Sequence, residues 1–165
     1  MLSKPKIAIV GLGNLLLGDE GFGIHVVRYL EKHYLFPEEC ELIDGGCLGL
    51  KLLDLLREKD IVFLIDVFLD PNEVAGRLYT FQWEEIEKFS PQRFVSAHQI
   101  GVQEALALAR FQGLRPSLFK VFATIPLEIS PGIRLSPPLR ELLPKVSEQL
   151  LSELKQKGVS IQKKS

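Results

Sequence analysis

The sequence predicts a three-layer αβα fold of the α/β class, in which helices cover both faces of a mostly parallel, twisted sheet of about five strands. Apolar β-type runs alternate with helical patterns along the chain, and the runs are too apolar for strands that keep one face in water. The chain has 165 residues, 46% of them hydrophobic, which is enough for one sizeable core. We therefore expect a single α/β domain over residues 1–154.

Local patterns predict the elements in chain order. Strands are expected at 7–10, 41–43, 61–65, 78–81 and 119–125, and helices at 22–33, 48–57, 99–111 and 138–154. The fourth strand mixes polar and apolar residues, which predicts an edge or antiparallel strand. Trp83 and the acids that follow it predict a short amphipathic surface helix. The lysine-rich tail, 155–165, is expected to be frayed.

The composition and net charge limit the classes of partner that we expect for this protein. The formal net charge is -1 and 25% of the residues are charged, so we expect neither nucleic acid nor an anionic membrane surface as a partner. No apolar run approaches the roughly 20 residues that span a bilayer, which predicts a cytoplasmic protein. Cys40 and Cys47 match neither a zinc-ribbon nor a redox spacing, so both are expected to be buried free thiols.

A glycine-rich loop, residues 11–23, joins the first strand to the first helix. Such a loop normally cradles a phosphate at the positive end of the helix. Here two adjacent acids, Asp19 and Glu20, occupy that position and would repel a phosphate, so a cation fits better. Leu16 stands where a dinucleotide fingerprint needs its third glycine. A nucleotide-dependent oxidoreductase is therefore an alternative function, although the dinucleotide fingerprint in this sequence is incomplete.

Further polar residues follow other strands, namely Asp44, Asp66 and His98. Binding crevices of open parallel sheets form outside the carboxyl ends of the strands. A strand order of 2-1-3 would make the loops of Glu20 and Asp66 neighbours, and His98 would add an imidazole. A divalent cation would hold both carboxylates ionised and accept the neutral imidazole. Three protein ligands leave open coordination positions, and these donors suit nickel or zinc.

Each of these residues also has an ordinary structural explanation. Glu20 complements a helix N-terminus, Asp66 hydrogen-bonds the following loop, and His98 starts a helix. The Asp44-Gly45-Gly46 segment predicts a tight turn, unless another backbone approaches its glycines. The two histidines of the first helix are expected to be structural: His25 and His33.

Four motifs follow one another along the chain: Gly11-x-Gly13-Asn14-x-Leu16-x-x-Asp19-Glu20-Gly21-x-Gly23, Asp44-Gly45-Gly46, Ile65-Asp66 and Ser96-x-His98-Gln99-x-Gly101. In this order they closely resemble the hydrogenase maturation endopeptidases, which process the large subunits of nickel-iron hydrogenases. The resemblance runs from about residue 7 to residue 154 and includes the loop over 126–136.

The resemblance implies an endopeptidase that removes a short C-terminal extension from the hydrogenase large-subunit precursor once nickel has been inserted. The nickel arrives with the substrate, and zinc or cadmium are expected surrogates. A monomer that docks transiently on the larger precursor is expected. The implied metal-binding and catalytic residues are Glu20, Asp66 and His98, and the implied substrate-binding residues are Asp44, Gly45 and Gly46.

Two mechanisms and one noncatalytic role are open at this stage. In the first mechanism nickel acts as a Lewis acid while Glu20 or Asp66 moves protons. In the aspartic-type mechanism both carboxylates activate water directly, and the metal serves recognition alone. The alternative from another class is a noncatalytic hydrogenase-assembly chaperone that grips the precursor without cutting it.

Overall fold

The computed structural model describes residues 3–46, 49–89 and 97–165, with the backbone alone at residues 50 and 97–101. The strands are β1 Ile7–Leu12, β2 Tyr34–Leu35, β3 Cys40–Gly46, β4 Ile61–Val67, β5 Tyr79–Gln82, β6 Leu118–Thr124 and β7 Gln162–Lys163. The helices are α1 Phe22–His33, α2 Leu52–Glu58, α3 Trp83–Glu87, α4 Ala97–Phe111 and α5 Pro137–Gln156. Short 3-10 turns at Gly18–Gly21 and Gly49–Lys51 precede α1 and α2.

A five-stranded sheet runs in the order β3-β1-β4-β6-β5. β1 is parallel to β3 and β4, and β4 is parallel to β6. β5 lies antiparallel to β6 at one edge. The predicted fold class is confirmed, as are the 2-1-3 order of the first three expected strands and the antiparallel edge strand. Every residue of β1 and β4 is buried, as expected for strands covered on both faces.

Helices pack on both faces of this sheet. On one face Ile7 and Ile9 of β1 belong to the same core as Phe22 of α1 and Leu139 of α5. The next residue, Ala8, belongs to the opposite core, which is built with α2, α3 and α4. This alternation follows from the period of two along a strand. Because both faces are filled, a binding site has to form at the strand ends.

Two short helices differ in detail from the sequence pattern. The helix expected over 48–57 begins only at Leu52, because Gly49 has a φ of +55° and does not fit an α-helix. The expected amphipathic helix is present as α3. Its Trp83 faces the core and makes an edge-to-face contact with Phe119 at 5.1 Å between ring centroids.

The C-terminal tail is folded onto the body of the protein, which differs from the expected frayed segment. α5 continues to Gln156, and β7 pairs with β2. Lys164 donates its backbone N–H to the His33 carbonyl at 2.8 Å. The late lysines suggest a solvated tail, but two apolar residues lie among them. These residues, Val159 and Ile161, pack against the α1 and α5 side of the core.

The structure bears on two expectations from composition, one about membrane spans and one about the cysteines. Within the described ranges, no helix is both long and apolar enough to cross a bilayer. Cys40 is a buried free thiol, as predicted, and burial together with the nearby charge of Glu39 raises its pKa to about 11. Cys47 lies outside the described residues.

Candidate active site

The carboxyl ends of three neighbouring strands bring the predicted acids to one edge of the sheet. Near the end of β1, Gly11 is paired with Asp44 of β3 on one side and with Ile65 of β4 on the other. Neighbouring strands lie about 4.8 Å apart, so the backbones of Asp44 and Asp66 flank the end of β1 at a separation of roughly 10 Å. The loop that leaves β1 therefore starts between these two acids.

Two glycines hold this loop against the strand ends. A Cβ at Gly13, whose φ is +132°, would stand 1.9 Å from the carbonyl oxygen of Glu20. A Cβ at Gly23 would stand 2.2 Å from the carbonyl oxygen of Ile65, the residue before Asp66. Only glycine permits approaches this close. Glu20 is thereby held beside the end of β1, and the start of α1 is held against the end of β4.

The side chains of Glu20 and Asp66 are both withdrawn from water, with exposed fractions of 6% and 3%. Asp66 Oδ1 accepts the backbone N–H of Val67 at 2.7 Å. An ionised carboxylate in such a place is costly unless a counter-charge or hydrogen bonds compensate it. Two withdrawn acids, one in the turn after β1 and one near the end of β4, have the chemistry of a cation site or of a carboxylate pair that moves protons.

Asp19, the neighbour of Glu20, has a different role, which the sequence analysis missed. It is fully buried, and its Oδ2 accepts hydrogen bonds from the Leu127 N–H, the Glu128 N–H and the Ser136 hydroxyl at 2.9, 2.9 and 2.7 Å. Its Oδ1 accepts the Ser136 N–H at 2.7 Å. Asp19 therefore organises the loop after β6 and has few lone pairs left for a ligand.

The third predicted metal ligand, His98, belongs to the first turn of α4, and its side chain lies outside the described residues. α4 is followed by a short connection to the start of β6. A helix of 15 residues is about 22 Å long, so α4 runs back from the edge where β6 ends. The start of α4 thus lies at the same edge as Glu20 and Asp66, while the meeting of the three side chains stays a prediction. Among the described side chains, no group of three His, Cys, Asp or Glu is placed to hold a metal ion.

The Asp44-Gly45-Gly46 segment forms the end of β3, the strand at the other edge of the sheet. Asp44 is half-exposed, with Oδ2 at 4.0 Å from Nη2 of Arg28 on α1. Gly46 has a φ of +47°, and a Cβ built there meets no atom of the described residues within 4 Å, whereas a Cβ at Gly45 would stand 2.8 Å from Val10 Cγ1. The segment therefore ends an edge strand that packs on β1 at Gly45 and has space at Gly46 among the described residues.

The two histidines of α1 contact an aromatic ring and the loop after β6. Tyr29 and His33 contact each other with ring centroids 4.2 Å apart. His25 contacts the loop after β6, and its Nε2 is buried without a hydrogen-bond partner in the described part of the chain. Burial lowers the pKa of His25, and Arg28 acts in the same direction, whereas the backbone of Ile133 and the charge of Asp19 oppose the shift.

Several known proteins that this chain resembles in sequence and fold are hydrogenase maturation or hydrogenase expression/formation proteins. The chain is 30% identical over 154 residues to the hydrogenase 2 maturation protease of Escherichia coli K12, and the match covers 93% of each protein. It is 35% identical over 158 residues to the hydrogenase expression/formation protein HupM of Azotobacter chroococcum mcd 1, covering 95% of this chain and 75% of that one. The structure of the hydrogenase maturating endopeptidase HybD from E. coli matches with a TM-score of 0.87 at 29% identity, over 96% of this chain and 98% of that chain.

The hydrogenase maturation protease family model matches residues 24–153, a range that includes Asp66 and His98 and begins after Glu20. This range covers most of the chain, and the similarity to the E. coli maturation protease spans nearly the full length of both proteins. The chain therefore belongs to the hydrogenase maturation protease family.

Proposed function

We propose that this protein is an endopeptidase that removes the C-terminal extension from the large-subunit precursor of a nickel-iron hydrogenase after nickel insertion. Membership of the family supports proteolysis in hydrogenase maturation. The observation that carries the choice of site is the burial of two carboxylates, Glu20 in the turn after β1 and Asp66 near the end of β4, at the carboxyl edge of the sheet.

Glu20, Asp66 and His98 would serve as shared ligands for the nickel that the precursor carries. Two carboxylates and an imidazole form a mixed oxygen and nitrogen donor set, which suits nickel, with zinc or cadmium as surrogates. Three protein ligands leave coordination positions for donors from the precursor. Correct docking would then require a loaded metal, so cleavage would wait for nickel insertion.

Peptide hydrolysis at this site needs an activated water and a proton carrier. Glu20 or Asp66 would take a proton from the attacking water and pass it to the departing amine, while nickel polarises the scissile carbonyl. In the aspartic-type alternative the two carboxylates share one proton and activate the water without the metal. Both versions assign proton transfer to the same two side chains.

The open end of β3 would receive the backbone of the precursor near the cut bond. Gly46 has space beside it among the described residues, which would allow a close approach of another chain, while Gly45 would keep the end of β3 packed against Val10 of β1. An extended peptide beside an edge strand gains main-chain hydrogen bonds. Asp44, whose Oδ2 lies 4.0 Å from Nη2 of the half-exposed Arg28, would contribute a charged group to that recognition.

The test compares nickel-loaded and nickel-free precursor, incubated with the wild type and with Glu20→Gln, Asp66→Asn and His98→Ala. Loss of a C-terminal peptide is followed by mass spectrometry. We expect Glu20→Gln and Asp66→Asn to lower the cleavage rate of the loaded precursor at least about a hundredfold, because proton transfer contributes about 10² to 10⁴ to such reactions. His98→Ala should lower the rate because it removes a nickel ligand. Glu104→Gln and Asp54→Asn are matched controls on exposed helix surfaces and should cleave normally.

The other outcomes separate the alternatives. A stable complex in which the wild type leaves the precursor intact would support the chaperone and contradict the protease. Undiminished cleavage of nickel-free precursor would eliminate the metal checkpoint. Retained activity in Glu20→Gln and Asp66→Asn together would remove the carboxylates from the mechanism.

A further inference from the structure

Exposed apolar side chains lie in loops that adjoin the candidate active site. Nine large hydrophobic side chains of the described residues are exposed, and six of these lie in loops at the carboxyl edge of the sheet, with exposed fractions between 41% and 66%. Val74 lies nearer the start of β5, and we call the other five the apolar rim: Leu16, Leu69, Leu127, Ile129 and Ile133. Exposed apolar residues are ordinary when scattered, but a group of them with polar neighbours marks an interaction site.

Backbone hydrogen bonds hold the rim together. The loop after β1 and the loop after β6 are joined where Gly132 donates to the Leu16 carbonyl at 2.9 Å and Gly18 donates to the Gly132 carbonyl at 2.8 Å. Asp19 donates its backbone N–H to the Glu128 carbonyl at 3.0 Å. The four hydrogen bonds that the Asp19 carboxylate accepts fix the loop after β6 from its buried side. The rim is therefore built before any partner binds.

The rim is continuous with the two buried carboxylates. Leu16 lies in the loop that carries Glu20, and Leu69 follows Asp66 by three residues. Phe68, just before Leu69, donates its backbone N–H to the Thr124 carbonyl at 3.0 Å, which brings this loop beside the start of the β6 loop. The apolar surface thus adjoins the place where the proposed function puts the cut bond.

We propose that the apolar rim docks an apolar surface of the folded hydrogenase precursor beside the segment that is cut. This inference rests on the proposed function, because it identifies the rim's partner as the macromolecule whose tail enters the site. A substrate of that size has to contact surface beyond its tail, and the rim is the apolar surface that adjoins the carboxylates. The rim would thereby select the folded precursor over free peptides.

A second copy of this chain is a poorer occupant. Stable dimers bury about 1,200–2,000 Å² in total, far more than five partly exposed side chains supply. A small preformed patch suits a transient encounter between a protease and its substrate, which has to dissociate after each cut.

The experiment places charges of both signs on the rim. Ile133→Lys, Ile133→Glu and Leu127→Glu are compared with Phe111→Glu, which changes a side chain 89% exposed at the far end of α4. KM and kcat are measured on nickel-loaded precursor, and the dissociation constant of each variant for the same precursor is measured by biolayer interferometry. We expect KM and the dissociation constant to rise about tenfold in each rim variant, since one buried aliphatic side chain contributes that much.

kcat at saturating precursor should stay within about twofold of the wild type, because the rim does not touch the reacting atoms. A rise with only one sign of charge would indicate an electrostatic contact and overturn the apolar docking surface. Equal KM in the rim variants and in Phe111→Glu, with a wild type that cleaves, would also overturn it. A wild type that binds the precursor but never cleaves it would contradict the proposed function. The dissociation constants of the rim variants would still decide whether the rim docks the precursor. A wild-type dimer that Ile133→Glu dissociates would assign the rim to a second copy.

Discussion

At the scale of single residues, Asp19 shows how one buried carboxylate supports the site without belonging to it. Its four accepted hydrogen bonds tie the turn before α1 to the loop after β6. Asp19→Ala would leave three backbone N–H donors and one hydroxyl without their acceptor. We expect a loss of about 3 kcal/mol in the free energy of unfolding, measured by urea denaturation, because unsatisfied buried donors are costly.

Asp19→Asn keeps the shape and part of the acceptor capacity, so its loss should be smaller. The exposed Asp54→Ala is the control and should change stability by less than about 0.5 kcal/mol. Limited proteolysis gives a second measurement, in which the loop over 126–136 of Asp19→Ala should be cut first. Equal stability of Asp19→Ala and Asp54→Ala would contradict the organising role.

His25 makes the same region sensitive to pH. Its pKa is lowered from 6.5 chiefly by burial, so between the native and unfolded pKa values the unfolded chain binds more protons. The stabilisation from neutral His25 is therefore complete above about pH 6.5 and is lost as the pH falls toward the lowered native pKa. We expect urea unfolding between about pH 7.5 and 5 to show this decline in the wild type.

His25→Phe should remove that part of the pH dependence, because phenylalanine carries no titrating group and no unpaired buried nitrogen. His33→Phe, which changes the histidine at the other end of α1, is the matched control and should keep the decline. The same slope in wild type and His25→Phe would assign the pH dependence to other groups.

At the scale of elements, the sequence predicted best where burial dictates composition. β1 and β4 are buried at every residue, so their apolar runs stand out, and α1 has the predicted bounds of Phe22–His33. β2 and β7 have two residues each, too short for a periodic pattern. The tail was therefore misjudged, because its order comes from packing of Val159 and Ile161 against distant residues and not from local signals.

Some features of the candidate site can be predicted from local sequence, whereas others depend on contacts between residues far apart in the chain. Glu20, Asp44 and Asp66 stand out in the sequence because acids at the ends of apolar strands are unusual, and the strand order places them at one edge. The role of Asp19 was not predictable, because its donors lie 108 to 117 residues away along the chain. The apolar rim was missed for a related reason, since exposed and buried leucines look alike in sequence.

At the scale of the whole molecule, the β3-β1-β4 order places the ends of these three strands side by side at the carboxyl edge, where the proposed recognition and chemistry would meet. The open end of β3 lies on one side of the carboxylates and the loop after β6 on the other. Both adjoining faces of the sheet are filled with core side chains. A ligand held by loops from separate strands should therefore stabilise the entire fold and not one segment.

The effect of a bound metal ion on the free energy of unfolding tests whether such a ligand stabilises the entire fold. If Glu20, Asp66 and His98 share an ion, zinc or cadmium at about 100 times its dissociation constant should add about 2.7 kcal/mol to the free energy of unfolding. For a domain of this size that corresponds to a rise of about 5–10 °C in Tm, reversed by a chelator. Glu20→Gln and Asp66→Asn should lose most of the shift, while Asp54→Asn keeps it. An equal shift in all four proteins would mean that the ion binds elsewhere, and the shared coordination of the three residues would then fail as an explanation of this edge.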